Sequence, residues 1–374
     1  MSKIIYFDNN ATTKVDERVL EAMLPYFTEL YGNASSKLHE AGWIADAAVE
    51  KARKQVADLI GAEPNEIVFT SGATEAVNTA IKGIFRAYKT KGNHIITVST
   101  EHKAVLDTCE YLKEEGAEIT YLNVDREGMI DIDELKAAIK PTTILVSVMA
   151  ANNETGVIQR MEEISGVVKE KKIIFFSDAT QYAGKSQLNM NEAGIDCLSL
   201  SAHKFFGPKG VGALYLRRKE PRVNIIPLIH GGAQENHKRA GTLNVPLIVG
   251  LGKACEIANA EMWDNNTEVS KLRAYFEHQL LDIPDLRVNG STRYRLYNTS
   301  NVTFPSALNV RPLLNKYAFS SGSACTTGTN EPSHVLKAMG ISEAEIRNSF
   351  RFSFSKNNSI EEVKVLIKDL FSSF

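Results

Sequence analysis

A lysine and a cysteine occur in two sequence settings that favour reactivity. Lys204 ends the string SAHK (201–204) just after an apolar run, and Cys325 ends the polar string SSGSAC (320–325). The amine of a lysine in apolar surroundings loses its proton more easily, so it can act as a base or condense with an aldehyde. A thiol among Ser, Gly and Ala, with no apolar strand around it, is predicted to be exposed and reactive. Together the two residues predict sulfur chemistry on an amino acid.

The string TSGATE (70–75) lies between a predicted strand and a predicted helix. Its glycine lets the backbone approach a ligand closely, and the N–H groups of a helix N-terminus suit a phosphate, to which Thr74 could add a hydroxyl. The same string would also serve as an ordinary helix cap without any ligand. Because strand–glycine–helix turns are common, this string taken alone favours the cap.

Four further side chains suit contact with a cofactor or a substrate, and each has an ordinary structural alternative. Asp178 ends an apolar strand and could hold a protonated pyridine nitrogen, or it could cap a turn. Gln181 could reach a neighbouring ring hydroxyl or be a surface amide. The flat ring of His102 could stack on an aromatic cofactor, although a lone histidine is more often structural. Arg351, between two phenylalanines, could bind a carboxylate with both nitrogens or lie on the surface.

Apolar runs alternate with amphipathic stretches over the first two thirds of the chain, which predicts a mostly parallel sheet covered by helices. The predicted strands cover 67–70, 94–98, 118–122, 143–149, 173–178 and 197–200, and the predicted helices cover 73–88, 103–115, 132–139 and 161–170. Sheets of this kind bind ligands at the carboxyl ends of their strands. Thr70, Asp178 and Ser201 are all predicted to lie at such ends.

The pattern changes after Pro246. Two helices are predicted, at 248–265 and 271–281, followed by short strands and helices that predict a smaller α+β domain. We therefore expect a large domain over residues 15–255. Residues 1–14 and 256–374 are expected to form a small domain that includes Cys325 and Arg351.

Composition narrows the class of protein. The chain has 374 residues, of which 43% are hydrophobic and 24% charged, and its 43 Lys and Arg nearly balance its 45 Asp and Glu. This balance argues against a surface that coats nucleic acid, and no apolar run is long enough to predict a membrane span. The start of the chain does not resemble a secretory signal. The four cysteines are scattered, which argues against a disulfide framework or a zinc site and favours the cytoplasm.

Taken in order, these strings resemble the cysteine desulfurases of the NifS/IscS group. These are class V aminotransferase-like enzymes of fold type I that depend on pyridoxal 5'-phosphate. The matching strings are YFDNNATT (6–13), TSGATE (70–75), EH (101–102), NNETG (152–156), DATQ (178–181), SAHK (201–204), RAGT (239–242), SGSAC (321–325) and RFS (351–353). The resemblance therefore covers nearly the whole chain.

The resemblance implies a three-layer α/β/α large domain, with a smaller α+β domain at the C-terminus, and a role for each matching residue. Lys204 would form a Schiff base with the cofactor and remove the substrate's α-proton, and Cys325 would take the sulfur as a persulfide. His102 would stack on the pyridoxal ring and shuttle protons. Further cofactor contacts are implied for Ala73, Thr74, Asp178, Gln181, Ser201, His203 and Thr242. Substrate contacts are expected for Asn10, Asn153 and Arg351, and no metal site is expected.

The resemblance also implies partners. Thr242 would reach the phosphate of the partner subunit, so a homodimer with shared sites is expected, with L-cysteine as substrate. The sulfur would go to an acceptor in iron–sulfur assembly, tRNA thiolation or DNA phosphorothioation, without direct binding to nucleic acid or membrane. A class V aminotransferase, a selenocysteine lyase and a non-catalytic subunit remain alternatives. The polar cysteine loop argues against the first, and the presence of Lys204, His102 and Cys325 argues against the last.

Overall fold

A computed structural model describes residues 4–321 and 332–372 of the chain. Cys325 and most of the polar string that contains it therefore lie outside the described residues. The strands are β1 (Ile5–Tyr6), β2 (Ile67–Thr70), β3 (His94–Val98), β4 (Glu118–Leu122), β5 (Thr143–Ser147), β6 (Ile174–Asp178), β7 (Cys197–Ser201), β8 (Gly212–Leu216), β9 (Arg287–Val288), β10 (Thr299–Thr303), β11 (Tyr317–Ala318), β12 (Ser320–Ser321) and β13 (Ser349–Ser353). The helices are α1 (Glu17–Met23), α2 (Pro25–Thr28), α3 (Glu40–Ile60), α4 (Ala73–Tyr88), α5 (Lys103–Glu114), α6 (Ile132–Ala138), α7 (Met161–Glu170), α8 (Met190–Ala193), α9 (Val245–Leu280), α10 (His334–Ala338), α11 (Glu343–Arg347) and α12 (Ile360–Phe371).

A seven-stranded sheet in the order β2-β8-β7-β6-β5-β3-β4 forms the centre of the molecule. Every neighbouring pair from β7 to β4 is parallel, and only β8 runs antiparallel, to both β7 and β2. The predicted mostly parallel sheet is thus confirmed. The inner strands are buried along their whole length, as expected when helices cover both faces.

Helices cover the sheet on both faces. Neighbouring strand residues belong to different apolar clusters: Val68 packs with α4 and α5, whereas Phe69 packs with α3, α7 and α9. In the same way, Ile95 belongs to the cluster that contains Val68, and Ile96 belongs to the cluster that contains Phe69. Because successive strand residues point to opposite faces of a sheet, the two clusters are the two sides of a three-layer α/β/α structure. The predicted fold class is confirmed.

A second unit is built around a four-stranded antiparallel sheet in the order β12-β13-β10-β9. Its core is rich in phenylalanine, and the N-terminal β1 pairs in parallel with β11 beside it. The ring of Phe7 packs against that of Phe354, with centroids 5.6 Å apart. These contacts agree with grouping the first residues with the C-terminal part, although the predicted boundaries at 14/15 and 255/256 stay predictions.

The two helices predicted after Pro246 are in fact one continuous helix, α9, so that prediction was wrong. The polar stretch around Asn265 and Asn266 suggested a break, because asparagine has low helix propensity. However, Met262, Val269 and Phe276 recur every seven residues and are all buried in the two cores. Helical stability in proteins comes mainly from such packing, so the helix continues and connects the two units.

A buried ion pair fastens α3 to the large sheet. The guanidinium of Arg53 donates two hydrogen bonds to the carboxylate of Glu235, at 2.7 and 2.8 Å, and a third to the carbonyl of Ile67. The same carboxylate accepts the backbone N–H of Phe69 at 2.8 Å. The Glu235 side chain is only 1% exposed. The pair therefore places β2, and with it the turn that leads into α4.

Arg53→Met is expected to lower the free energy of unfolding by about 3 kcal/mol, because it leaves the Glu235 carboxylate buried without its partner. Urea unfolding followed by circular dichroism measures this as a lower midpoint. The matched control is Lys54→Met, which removes the neighbouring, exposed ion pair with Asp58 and is expected to cost less than about 1 kcal/mol. Equal midpoints for the two variants would show that the buried pair does not stabilise the fold.

Candidate active site

A cavity of about 600 Å³ opens at the carboxyl ends of the central strands, between the two units. This volume suits a small-molecule ligand. Of the residues to which the resemblance assigns a catalytic, cofactor or substrate role, all except Thr242 and Cys325 line the cavity: Asn10, Ala73, Thr74, His102, Asn153, Asp178, Gln181, Ser201, His203, Lys204 and Arg351. Thr242 is exposed and is not part of the lining. Cys325 lies outside the described residues.

Lys204 lies on a single 3₁₀ turn (Ala202–Lys204) that directly follows β7. Its amine donates hydrogen bonds to the carbonyls of Asn10 and Ala11, at 2.7 and 2.9 Å. Burial, reinforced by the positive charge of Arg351, lowers the pKa of Lys204 to about 8. A substantial fraction of the amine is therefore uncharged at mildly alkaline pH, as a nucleophile or base requires.

Several hydrogen-bonding groups meet at the start of α4. No side chain caps this N-terminus within the described part of the chain, so its first N–H groups remain for a ligand. Thr74, Ser201 and His203 line the cavity beside it. Burial and the charges of nearby lysines lower the pKa of His203 to about 4, so its ring is neutral at neutral pH. This arrangement suits an anion such as a phosphate.

Asp178 ends β6 and is 5% exposed. Its Oδ1 atom accepts three hydrogen bonds, from the backbone N–H and hydroxyl of Thr180 and from the hydroxyl of Ser199. Its Oδ2 atom accepts none from the described residues. One carboxylate oxygen is thus held in place by the protein, while the other remains for a cationic group of a ligand.

His102 precedes α5 and caps it: the ring Nδ1 atom accepts the backbone N–H of Ala104 at 3.1 Å. This hydrogen bond assigns the proton of the neutral ring to Nε2. Desolvation lowers the pKa of His102, and the charge of Lys204 lowers it further, against an opposing effect of Asp178. The ring is therefore neutral at neutral pH and carries an N–H donor on Nε2.

Arg351 lies on β13 between Phe350 and Phe352, which point into the apolar core while Arg351 lines the cavity. Its guanidinium donates to the carbonyl of Asn153 at 2.8 Å and to the carboxylate of Asp8 at 2.6 Å. Arg351 is 6% exposed, so it is not the surface arginine that the sequence left open. A buried, oriented guanidinium suits recognition of a carboxylate.

The side chain of Asn10 is committed to protein contacts. Its Oδ1 atom accepts from Lys185 and Asn298, and its Nδ2 atom donates to Thr299 and to the carbonyl of Asn153. The backbone carbonyl of Asn10 accepts from Lys204. A contact between Asn10 and the substrate therefore stays a prediction, and its observed contacts organise the cavity wall.

Sequence reasoning overlooked three buried or cavity-lining polar residues. Glu101 is completely buried, and burial together with the charge of Asp178 raises its pKa well above the usual range. His334 lines the cavity, and its Nε2 atom lies 2.8 Å from the carbonyl of Glu101. Lys185 is buried and contacts Gln181. The available signal was proximity in the sequence: Glu101 directly precedes His102, and Lys185 follows Gln181 by four residues.

The three cysteines that the structure describes are unsuited to nucleophilic attack. Cys109, Cys197 and Cys255 are buried and unpaired. Burial raises the pKa of the Cys109 thiol to about 12 and shifts the pKa of the other two upward as well. Thiols in such surroundings stay protonated and inert.

Among the described parts of the chain no helix is long and apolar enough to cross a bilayer.

Comparisons with known proteins agree with this site. Residues 5–366 match the aminotransferase class-V family model. The chain is 48% identical to the cysteine desulfurase IscS of Mannheimia succiniciproducens, over 99% of this chain and 92% of the relative. The structure superposes on a solved NifS-like protein with a TM-score of 0.91 and 39% identity, covering 99% of both chains. It superposes on SspA, solved in complex with cysteine, with a TM-score of 0.85 and 40% identity, over 95% of this chain and all of that one. The chain thus belongs to the class-V aminotransferase family and, within it, to the cysteine desulfurases of the IscS and NifS kind.

Proposed function

We propose that this protein uses pyridoxal 5'-phosphate to convert L-cysteine to L-alanine and carries the released sulfur as a persulfide on Cys325. The observation that carries the proposal is the position of Lys204: an amine with a pKa of about 8 in a cavity that also holds a buried arginine. SspA, a relative of 40% identity, has been solved with cysteine bound. Cysteine is therefore the first substrate to test.

The cavity residues fit pyridoxal phosphate on three independent observations. The uncapped start of α4, with Thr74, Ser201 and His203 beside it, suits the phosphate. The uncommitted Oδ2 atom of Asp178 suits the pyridine nitrogen, and the amine of Lys204 suits the aldehyde. When bound, this cofactor withdraws electrons from the α-carbon of an amino acid.

We assign the remaining cofactor contacts as the resemblance implies. The backbone of Ala73 would contribute to the phosphate site, and Gln181 would contact the ring hydroxyl. His102 would stack on the ring. Thr242 would complete the site of a partner subunit, which agrees with its exposure outside its own cavity.

Arg351 would bind the substrate carboxylate with its guanidinium, aided by Asn153 and, in this proposal, Asn10. Its present contacts, the carboxylate of Asp8 and the carbonyl of Asn153, hold the guanidinium at the cavity wall. Orienting the guanidinium in advance lowers the entropy cost of binding. The carboxylate would thereby place the α-carbon of the substrate near Lys204.

Lys204 would then act as the base. Its uncharged amine takes the proton from the α-carbon of the substrate at Nζ, which the lowered pKa permits at mildly alkaline pH. His102, neutral and with its proton on Nε2, would exchange a proton with the substrate or product. Positioned acid and base groups of this kind typically contribute a factor of about 10² to 10⁴ to the rate.

Described residues on both sides of the Cys325 segment line the cavity. Ser320 and Ser321 line the cavity on one side of the segment, and His334 does so on the other. Cys325 is four residues beyond Ser321, and four residues of extended chain span at most roughly 14 Å. We propose that Cys325 takes the sulfur of a substrate bound in this cavity. Its attack would join the two sulfur atoms as the carbon–sulfur bond breaks, leaving alanine.

Exposed apolar side chains support the proposed homodimer. Phe27, Tyr31, Leu38 and Trp43 are each more than half exposed. Large exposed apolar side chains are typical of surfaces that another protein covers. We propose a second copy of this chain as that protein. The cytoplasmic location and the identity of the sulfur acceptor, in iron–sulfur assembly, tRNA thiolation or DNA phosphorothioation, stay predictions.

The proposed activity is tested with the purified holoenzyme, L-cysteine and a reducing thiol. Alanine and sulfide are expected in equal amounts, from an enzyme with the visible absorption of bound pyridoxal phosphate. An oxo-acid product in place of alanine would indicate an aminotransferase. Selenide from selenocysteine without sulfide from cysteine would indicate a selenocysteine lyase, and a colourless protein without turnover would contradict the whole proposal.

A further inference from the structure

Lys185 is a buried lysine for which the reaction described above has no role. It is 4% exposed, and its amine donates to Oε1 of Gln181 at 2.8 Å and to Oδ1 of Asn10 at 3.2 Å. No carboxylate lies within ion-pair distance of this amine among residues 4–321 and 332–372. Both of its hydrogen-bond acceptors are neutral amides that belong to cavity-lining residues.

The backbone before Lys185 is built for this placement. Gly184 has a φ of +73°, and a Cβ atom there would lie 2.6 Å from the ring of Phe205. Only glycine suits both the left-handed conformation and the close approach. The carbonyl of Lys185 also accepts a hydrogen bond from Asn266 of α9 at 2.9 Å. The chain thus directs the lysine inward rather than letting its amine reach water.

The electrostatic surroundings of this amine are unfavourable to a charge. Burial, reinforced by the positive charges of Lys204 and Arg351, lowers the pKa of Lys185 well below its usual value. An uncharged amine has two N–H groups, and the structure provides two acceptors for them. A lysine placed among cations adds little to stability, since burying its amine is costly. The burial of Lys185 is therefore better explained by a role in orienting the two amides that accept its hydrogen bonds than by a contribution to stability.

The main consequence concerns the amide of Gln181. Because Lys185 donates to the carbonyl end of this amide, the NH₂ end is fixed in the opposite direction. One of its two N–H groups donates to the carbonyl of Asn10 at 2.9 Å, the same carbonyl that accepts from Lys204. The second N–H group is left for a ligand in the cavity. Without Lys185 only the hydrogen bond to the Asn10 carbonyl would hold the amide in this orientation.

We propose that Lys185 is a positioning residue, which fixes the Gln181 amide so that an N–H group, not the carbonyl oxygen, faces the ring hydroxyl of the cofactor. This inference rests on the proposed binding of pyridoxal phosphate in the cavity. An N–H donor stabilises an ionised ring oxygen, whereas an amide oxygen repels it. Lys185 would thereby set the pH at which the bound cofactor changes its visible absorption.

The experiment is a pH titration of the visible absorption of the holoenzyme, which does not depend on turnover. K185M removes the amine at nearly constant volume and is expected to raise the titration midpoint by about one pH unit, the size expected for one hydrogen bond to a charged oxygen. Q181A is expected to raise the midpoint similarly. The double variant should show no further shift, since both changes remove the same interaction.

Two more variants separate positioning from a general structural effect. K185Q keeps an N–H donor and is expected to restore most of the wild-type midpoint. K238M replaces a half-buried lysine outside the cavity and should leave the midpoint unchanged. A K185M midpoint equal to that of wild type, while Q181A shifts, would overturn the role of Lys185 but leave the proposed function standing.

Other outcomes are equally decisive. A wild-type protein without visible absorption would overturn both this inference and the proposed function. If neither Lys185 variant folds, a crystal structure of the wild-type holoenzyme tests the same geometry. The Lys185 amine within hydrogen-bond distance of Oε1 of Gln181, with Nε2 towards the ring hydroxyl, supports the inference, and an amine turned away from Gln181 overturns it.

Discussion

Lys204→Gln is expected to lower the rate of alanine formation from L-cysteine by about 10³-fold or more, because it removes the only proposed base for the α-proton. Glutamine retains a hydrogen-bond donor for the carbonyls of Asn10 and Ala11, which now bind the amine. The fold should therefore survive. Alanine production by the purified variant, loaded with pyridoxal phosphate, measures the effect.

The matched control for this variant is Lys171→Gln, at an exposed position outside the cavity. It is expected to retain wild-type activity. Circular dichroism of both variants checks that the fold is intact. Retention of more than about a tenth of wild-type activity in Lys204→Gln would contradict the role of this amine as the base.

The lowered pKa of Lys204 also predicts how the uptake of the cofactor depends on pH. Because the pKa of Lys204 is lowered from 10.5 to about 8, the reactive, uncharged amine predominates above pH 8. Uptake of pyridoxal phosphate by the apoprotein should therefore become faster with rising pH, with a midpoint near 8. Arg351→Gln removes a positive charge that helps to lower this pKa, so its midpoint should lie at higher pH. A wild-type midpoint near 10.5 would show that the cavity does not perturb the amine.

Cys325→Ser is expected to lower sulfide release by about 10³-fold or more, since a serine hydroxyl cannot accept sulfur as a persulfide. In wild type the substrate sulfur would form a bond with the sulfur of Cys325, and an added thiol would then reduce the persulfide and release sulfide. Sulfide release and mass spectrometry of the peptide containing residue 325 measure the two steps. One extra sulfur atom is expected in wild type and none in the variant.

The control for this prediction is Cys109→Ala. Cys109 is buried with its pKa raised to about 12, so its thiol is not expected to take part and the variant should keep wild-type activity. Undiminished sulfide release by Cys325→Ser would indicate a lyase that needs no persulfide. A loss of sulfide release in a correctly folded Cys109→Ala variant would contradict the assignment of Cys325 as the sole sulfur acceptor.

Although the long helix α3 and the strand β8 of the large unit were not predicted, the strands and helices that the sequence predicted between residues 67 and 200 agree with the structure to within two residues. The reason is that buried parallel strands are continuous apolar runs and their covering helices are amphipathic, so the pattern is local. It also predicted that Thr70, Asp178 and Ser201 lie at strand ends, because parallel strands bring their carboxyl ends to one edge. The function followed from motifs over the whole chain.

Tertiary structure alone decided the features whose partners are distant in the chain. The continuity of α9 depends on packing that outweighs the low helix propensity around Asn265. Arg351 contacts Asp8, which lies 343 residues away, and no local pattern predicts such a pair. Nothing in the sequence singled out Lys185, whose burial beside Asn10, Gln181 and two cations is a property of the folded chain. Residue types and strand ends are properties of short segments, whereas burial, charge environment and the direction of an amide depend on the assembled fold.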